Sequence, residues 1–221
     1  MENEHFIRIF RLAFEAAANE EAAKKMKDYL RGQFEFYGIS SPTRKQICKD
    51  VYAEYGNPIN VVELAKAMFN KPQREFHYVA QELLMKGKKH WELHHIEDFQ
   101  ELITTNSWWD TVDHLASNVI GTYFQKFPEG MRETITQWNA SENMWLVRTS
   151  IIFQLKYKSD VDSKLLEHCI IPHTQDKEFF IRKAIGWALR QYSRYNPEWV
   201  QEFIDRVPMQ PLSLKEAKKY I

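Results

Sequence analysis

Apolar residues along this chain recur with helical rather than strand periodicity almost throughout. In residues 3–18, Phe6, Ile9, Phe10, Ala13 and Phe14 fall on one stripe of a helix, whereas a strand would scatter them over both faces. Ser41-Pro42, Asn57-Pro58 and Asn196-Pro197 each set a capping side chain before a proline. A proline's missing N–H is harmless in a first turn, so all three read as helix starts. Asn106-Ser107 reads as another start, with Ser107 as the cap. Ser213-Leu-Lys-Glu216 has capping-box spacing and opens a short last helix. Breaks near Gly38, Gly56 and Pro128 are brief, and no linker divides the chain. Residues 1–221 are therefore expected to form a single all-α domain.

A longer period runs beneath this one. Phe76-His-Tyr-Val-Ala, Trp109-Asp-Thr-Val-Asp, Trp145-Leu-Val-Arg-Thr and Phe180-Ile-Arg-Lys-Ala align, with their aromatic anchors 33, 36 and 35 residues apart. A second helical segment lies between each pair, at 91–103, 129–139 and 162–170. Two helices per unit at this period indicate an α-solenoid of degenerate HEAT-like repeats, and no tetratricopeptide signature is present.

Equivalent helices of a solenoid line one concave surface. That brings together Asp113 and Arg148, which stand one place apart in the aligned repeats. Trp187 follows two turns beyond Phe180 on the same face. Trp109 and Asp113 are four residues apart, so an indole and a carboxylate point the same way. Two readings stay open. The pair receives a flat cationic group, through the ring's π face and the carboxylate's charge. Alternatively, Asp113 and Arg148 form an ion pair that staples two repeats, because an unpaired buried aspartate is costly.

Composition narrows the class. The chain is 44% hydrophobic and 14% aromatic, and its seven Gly and eight Pro are few for the tight turns of a sheet protein. Thirty basic residues balance thirty acidic ones. That balance argues against a nucleic-acid partner unless the charges segregate onto separate faces. Lys24-Lys25-x-Lys27, Lys86-x-Lys88-Lys89, Arg182-Lys183 with Arg190 and Arg194, and Lys218-Lys219 are the clusters from which a basic face would be built. No run of eighteen apolar residues occurs, and the acidic start Met1-Glu-Asn-Glu-His does not resemble a signal peptide. Cys48 and Cys169 stand far apart with no Cys-x-x-Cys. A cytoplasmic protein without membrane partner, disulfide framework or zinc site is expected. His90-Trp-Glu-Leu-His94-His95 spaces two histidines for a metal but is not His-Glu-x-x-His, and reads as a solvated helix start. No metal and no other cofactor is expected. Trp91, Trp138 and Trp199 are assigned to packing, and Trp108 is expected to turn inward beside Trp109.

Ser107-Trp-Trp-Asp-Thr-Val-Asp113, Trp145-Leu-x-Arg148, Ile152-Phe-Gln-Leu-Lys-Tyr157 and Lys177-Glu-Phe-Phe-Ile-x-Lys-Ala-Ile-Gly-Trp187 resemble the AlkD family of DNA glycosylases. The likeness runs from about Tyr29 to Lys219. It implies a HEAT-like solenoid whose concave face holds duplex DNA and excises N3- and N7-alkylated purines. On that resemblance Asp113 is the catalytic carboxylate, Trp109 and Trp187 contact the sugar, Arg148 is essential, and Tyr29 touches DNA. It also implies that the lesion stays stacked. Relatives lacking these side chains bind DNA without glycosylase activity, and this chain keeps all four central ones.

Arg148 is expected to clamp a phosphate through its planar fork, with Arg182, Lys183 and Arg190 as further DNA contacts. An alkylated purine is already cationic and leaves as a neutral base. The enzyme need only stabilise the positive sugar and deliver water, which suits a carboxylate ionised with an ordinary pKa near ~3.9. The expected protein is a metal-free, monomeric alkylpurine DNA glycosylase. A non-catalytic module binding distorted or branched DNA, and a protein–protein solenoid, are the competing readings.

Overall fold

In a computed structural model, which describes residues 2–220, the chain is all-α. Among these residues the one β feature is an isolated parallel bridge between Glu35 and Gln73. The chain divides into two compact units, Met1–Asp98 and Phe99–Ile221.

The first unit contains α1 (Glu2–Ala16), α2 (Glu20–Tyr29), α3 (Ser41–Tyr55), α4 (Val61–Phe69) and α5 (Arg74–Lys86), followed by a 3-10 turn at Lys88–His90. On α1 the stripe is Phe6, Ile7, Phe10 and Phe14, all buried; Ile9 and Ala13 stand at its edge, partly exposed. Phe14 packs against Tyr37 at 5.6 Å and Phe76 at 5.2 Å between ring centres. The loop from α2 to α3 is fixed at Gly38, whose φ is +85°. A Cβ there would lie 2.1 Å from the Asn19 carbonyl oxygen. The Gly38 and Ile39 N–H groups donate to Oε1 of the fully buried Glu75, at 2.9 and 3.2 Å.

Helix α6 (His95–Thr104) begins in the first unit and ends in the second. The second unit continues through α7 (Trp109–His114), a π-helical segment at Leu115–Ile120 and α8 (Gly121–Lys126). Then follow α9 (Met131–Asn139), α10 (Met144–Ile152), α11 (Ser163–Ile170), α12 (Phe179–Tyr192), α13 (Pro197–Arg206) and α14 (Pro211–Ala217). α10 packs on α7 on one side and α12 on the other, and α12 packs on α14. Behind them α9 packs on α11. The paired-helix repeat read from the anchor spacing is therefore present. Trp109 is the first residue of α7, Trp145 the second of α10 and Phe180 the second of α12; Phe76 is the third of α5. Two buried side chains carry hydrogen bonds between these helices. Trp138 Nε1 donates to Gln100 Oε1 at 2.6 Å, and Asn139 Nδ2 donates to Ser150 Oγ at 2.9 Å and to the Cys169 carbonyl at 3.0 Å.

Several starts differ from the sequence reading. Asn196 caps α13 as expected, accepting from the Trp199 N–H at 3.1 Å. For α3 the cap is Ser40, one residue earlier than Ser41. α4 begins at Val61, past Asn57-Pro58, because Asn57 Oδ1 is taken by Lys86 Nζ at 2.6 Å. Ser213 lies inside α14, where its hydroxyl donates to the Arg182 carbonyl at 3.1 Å, so the expected capping box does not form. Ser107 does not cap α7 either; its hydroxyl donates back to the Ile103 carbonyl of α6 at 2.6 Å. A serine hydroxyl both donates and accepts, and here the last turn of the preceding helix claims it.

Gly38→Ala is expected to destabilise the first unit. It puts a Cβ into left-handed backbone and against the Asn19 carbonyl, a cost on the order of 1–3 kcal/mol. Urea denaturation of wild type and variant checks this, and equal midpoints would exclude the strain.

Candidate active site

The site is assembled in the second unit by three neighbouring helices. α7 supplies Trp109 and Asp113, α10 supplies Trp145 and Arg148, and α12 supplies Phe180 and Trp187. The repeat register brings Arg148 onto Asp113 with a bidentate grip. Nε donates to Oδ1 at 2.7 Å and Nη2 to Oδ2 at 2.8 Å. Nη1 of the same guanidinium donates to the Phe180 carbonyl in the first turn of α12.

The fork expected to clamp a phosphate is turned onto Asp113 in this structure. The Arg148 side chain is only 4% exposed, against 18% for Asp113, and both carboxylate oxygens already hold it. Of the pair, Asp113 is the member with more surface exposed. The ion pair of the second sequence reading exists, and its acidic member keeps part of its surface accessible.

An aromatic cluster adjoins the pair. Trp108 contacts Trp145 at 5.8 Å and Phe180 edge-on at 5.3 Å, and Trp145 contacts Phe180 at 5.1 Å. Trp108 is thus turned inward, as expected. The Arg148 guanidinium carbon lies 5.9 Å from the Phe180 ring centre. Trp109 and Trp187 are both half-buried, each keeping part of its surface accessible.

Burial pushes the pKa of Asp113 above the ordinary aspartate value. The two hydrogen bonds and the charge of Arg148 oppose that rise, and Asp110 adds to it. The ordinary pKa read from sequence is therefore too low, because sequence alone does not show how little water reaches the group.

The helix changes its hydrogen-bond pitch directly after the site. Leu115–Ile120 is π-helical, a local widening that recurs at functional sites. The carbonyls at the switch are satisfied by side chains. Ser117 Oγ donates to the Asp113 carbonyl at 2.8 Å, and Asn118 Nδ2 donates to that of His114 at 3.1 Å. Lys156, from the turn after α10, in turn reaches Asn118 Oδ1. Neither the π segment nor Lys156 was assigned a role from sequence. The segment's apolar spacing matches an ordinary helix, so nothing in the pattern marked it.

The remaining candidates are dispersed. Tyr29 ends α2 in the first unit, 72% exposed. Arg182, Lys183 and Arg190 lie on α12, each partly buried. Lys183 and Arg190 are bonded to Glu216 of α14. For a metal, the ligand atoms of His94, His95 and Asp98 come within 4.8 Å of one another. Asp98 is engaged by Lys66 Nζ at 2.8 Å, and His95 Nδ1 accepts the Glu92 N–H at 2.8 Å. An ion would have to displace the lysine. Binding through His95 Nε2 would also require a proton at Nδ1, where the Glu92 N–H now points.

With this geometry established, comparison with known proteins gives a consistent result. Residues 10–221 match the family model described as DNA alkylation repair enzyme. A solved structure described as a predicted DNA alkylation repair enzyme from Enterococcus faecalis is 32% identical, over 92% of this chain and 96% of that one, with a TM-score of 0.85. AlkD2 from Streptococcus mutans is 18% identical over 89% of this chain and 99% of its own, at TM-score 0.62. The Streptococcus mutans UA159 protein smu.31 is 16% identical over 82% and 96%, at TM-score 0.61; these two share the fold. Comparison with curated proteins finds no match. The chain belongs to the DNA alkylation repair enzyme family, in agreement with its resemblance to AlkD. Among the described residues no helix is long and apolar enough to cross a membrane.

Arg148→Ala would leave Asp113 half-buried without its partner. Breaking a buried pair from one side typically costs about 3–5 kcal/mol, and a loss approaching that range is expected in thermal or urea denaturation. A variant as stable as wild type would show that the pair is not a structural link.

Proposed function

We propose that this protein is a monofunctional DNA glycosylase that hydrolyses the N-glycosidic bond of cationic N3- and N7-alkylated purines in duplex DNA. The observation that carries the reading is the carboxylate of Asp113, gripped from behind by Arg148 and partly open to solvent one helical turn from Trp109. Membership of the DNA alkylation repair family supports the substrate class.

In the proposed reaction the bond between C1′ and the alkylated purine breaks with both electrons leaving on the base. The base departs neutral, because it carried the positive charge beforehand, and the charge passes to the sugar. Asp113 stabilises that developing charge and accepts the proton of the water that attacks C1′. The products are a free alkylpurine and an abasic site. Indole faces at Trp109 and Trp187 add cation–π attraction of roughly 0.5–2 kcal/mol each as the sugar becomes positive. Arg148 keeps the carboxylate ionised and fixed. No enzyme acid is needed for the leaving group, so neutral bases such as uracil and hypoxanthine are poor substrates. In this reading the lesion stays stacked, because a carboxylate and two indoles act on the sugar and require no base-reading pocket. The protein acts as a monomer without a metal ion.

A duplex holding one N7-methylguanine, incubated with the protein and scored for abasic sites, tests the reading. Binding without base release would favour the non-catalytic DNA-binding alternative instead. Asp113→Asn is expected to slow single-turnover release about 10²–10³-fold, the typical loss of one preorganised electrostatic contact, with duplex affinity held. Equal rates would remove Asp113 from the chemistry.

The pH dependence follows from the raised pKa. Only the ionised carboxylate works, so the rate should fall on acidification with a midpoint above the ordinary aspartate range. A pH–rate profile with an acid limb at or below that range would contradict the assignment.

A further inference from the structure

All three charged residues of α12, Arg182, Lys183 and Arg190, are basic. Helix α14 and the turn after it add Lys215, Lys218 and Lys219, with Glu216 as their one acid. Glu216 is turned inward, its side chain 8% exposed, and three cations converge on its two oxygens. Lys183 Nζ donates to Oε1 at 3.0 Å, Arg190 Nη1 to Oε2 at 2.5 Å and Lys219 Nζ to Oε2 at 2.8 Å. The approach depends on Gly186, where a Cβ would meet Glu216 Cβ at 2.4 Å and the Ser213 carbonyl oxygen at 2.8 Å.

One carboxylate cannot neutralise three cations, so the cluster carries two uncompensated positive charges. Each ammonium spends one of its three N–H donors on Glu216 and the guanidinium one of its five, so most donors remain for a ligand. Lys183 and Lys219 stay accessible, with 38% and 45% of their side chains exposed. Hydrogen bonds and charge from Lys219 first, and from Lys183, hold Glu216 well below the usual carboxylate range, at about 2, against the opposing effect of burial. It therefore remains an anion throughout the working pH range and keeps the cations gathered.

The cluster's place on α12 identifies its ligand. Lys183 stands four residues before Trp187 and Arg190 three after it, which puts all three on one helix face. Every deoxyribose in a strand is flanked by two phosphodiesters. A helix that holds a sugar at Trp187 therefore meets a phosphate on each side of that residue. We infer that Lys183, Arg190 and Lys219, gathered by Glu216, form a phosphodiester-binding site that seats the DNA strand against Trp187. Glu216 is its positioning residue. The inference rests on the duplex-DNA reading given above and extends it to Lys219, read from sequence only as part of a basic cluster, and to an anchor, Glu216, read there only as a capping-box residue.

Binding to an undamaged duplex, measured from low to moderate salt, tests this apart from base release. Lys219→Gln is expected to weaken affinity uniformly and to make the slope of log K against log salt shallower by about one unit, as for one lost phosphate contact. Lys164→Gln, on the exposed surface of α11, controls for bulk charge and should leave the slope unchanged. Glu216→Gln raises the net charge by one yet should bind several-fold more weakly, because the cations are no longer gathered. Melting temperatures taken alongside restrict the comparison to folded protein.

A wild-type slope in Lys219→Gln overturns the site. Tighter binding by Glu216→Gln overturns the anchoring role. If wild type shows no salt-dependent duplex binding, the DNA reading fails as well. Wild-type binding with an unaltered slope in Lys219→Gln removes only this inference.

Discussion

The bidentate contact between Asp113 and Arg148 is the interaction around which the second unit is organised. A carboxylate taken partly out of water needs a partner that satisfies both oxygens, and here that partner comes from the next repeat. Its guanidinium also donates to the carbonyl of Phe180 in the repeat after that. Helices α7, α10 and α12, one from each of three successive repeats, are thereby fixed to one another through a single planar group. Trp108, Trp145 and Phe180, one from each of the same three repeats, pack on one another beside the pair. The orientation of Asp113 is consequently set by packed helices rather than by a loop, as its proposed role beside a reacting sugar would require.

The parts of this arrangement legible in the sequence were those that leave a periodic trace. Burial on one helix face repeats every three to four residues, and pairing of helices repeats in the mid-thirties. The anchors Trp109, Trp145 and Phe180 and the meeting of Asp113 with Arg148 could therefore be read directly. Direction was less legible than proximity. An arginine fork fits a carboxylate as well as a phosphate, and only burial shows that Arg148 faces Asp113. Ser107 and Ser213 failed as caps for a related reason, since each hydroxyl donates to a carbonyl of another helix instead of accepting an N–H. The π segment left no trace at all, because its apolar residues Leu115, Ala116, Val119 and Ile120 suit an α-helix equally well.

Net charge illustrates how a sum conceals an arrangement. The balance of thirty against thirty weighed against a polyanion, yet along α12 the charged positions are all basic and the single acid beside them faces inward. Glu216 lowers the total by one while concentrating three cations in a small volume. The quantity that matters to a polyanion is the local field, which segregation of this kind raises without changing the sum.

The same placement logic bears on the proposed chemistry. Before bond cleavage the positive charge of an alkylpurine resides on the base; during cleavage it moves to the sugar. A carboxylate free to swing would follow the charge and stabilise ground state and transition state alike, which accelerates nothing. In the proposed complex, with Asp113 held by Arg148 and placed at the sugar beside Trp109 and Trp187, the carboxylate would interact more strongly after the charge has moved than before. The arginine weakens the carboxylate's field somewhat, but it prevents the carboxylate from turning toward the base. For a substrate that supplies its own leaving-group activation, that fixed position is worth more than a stronger but mobile charge.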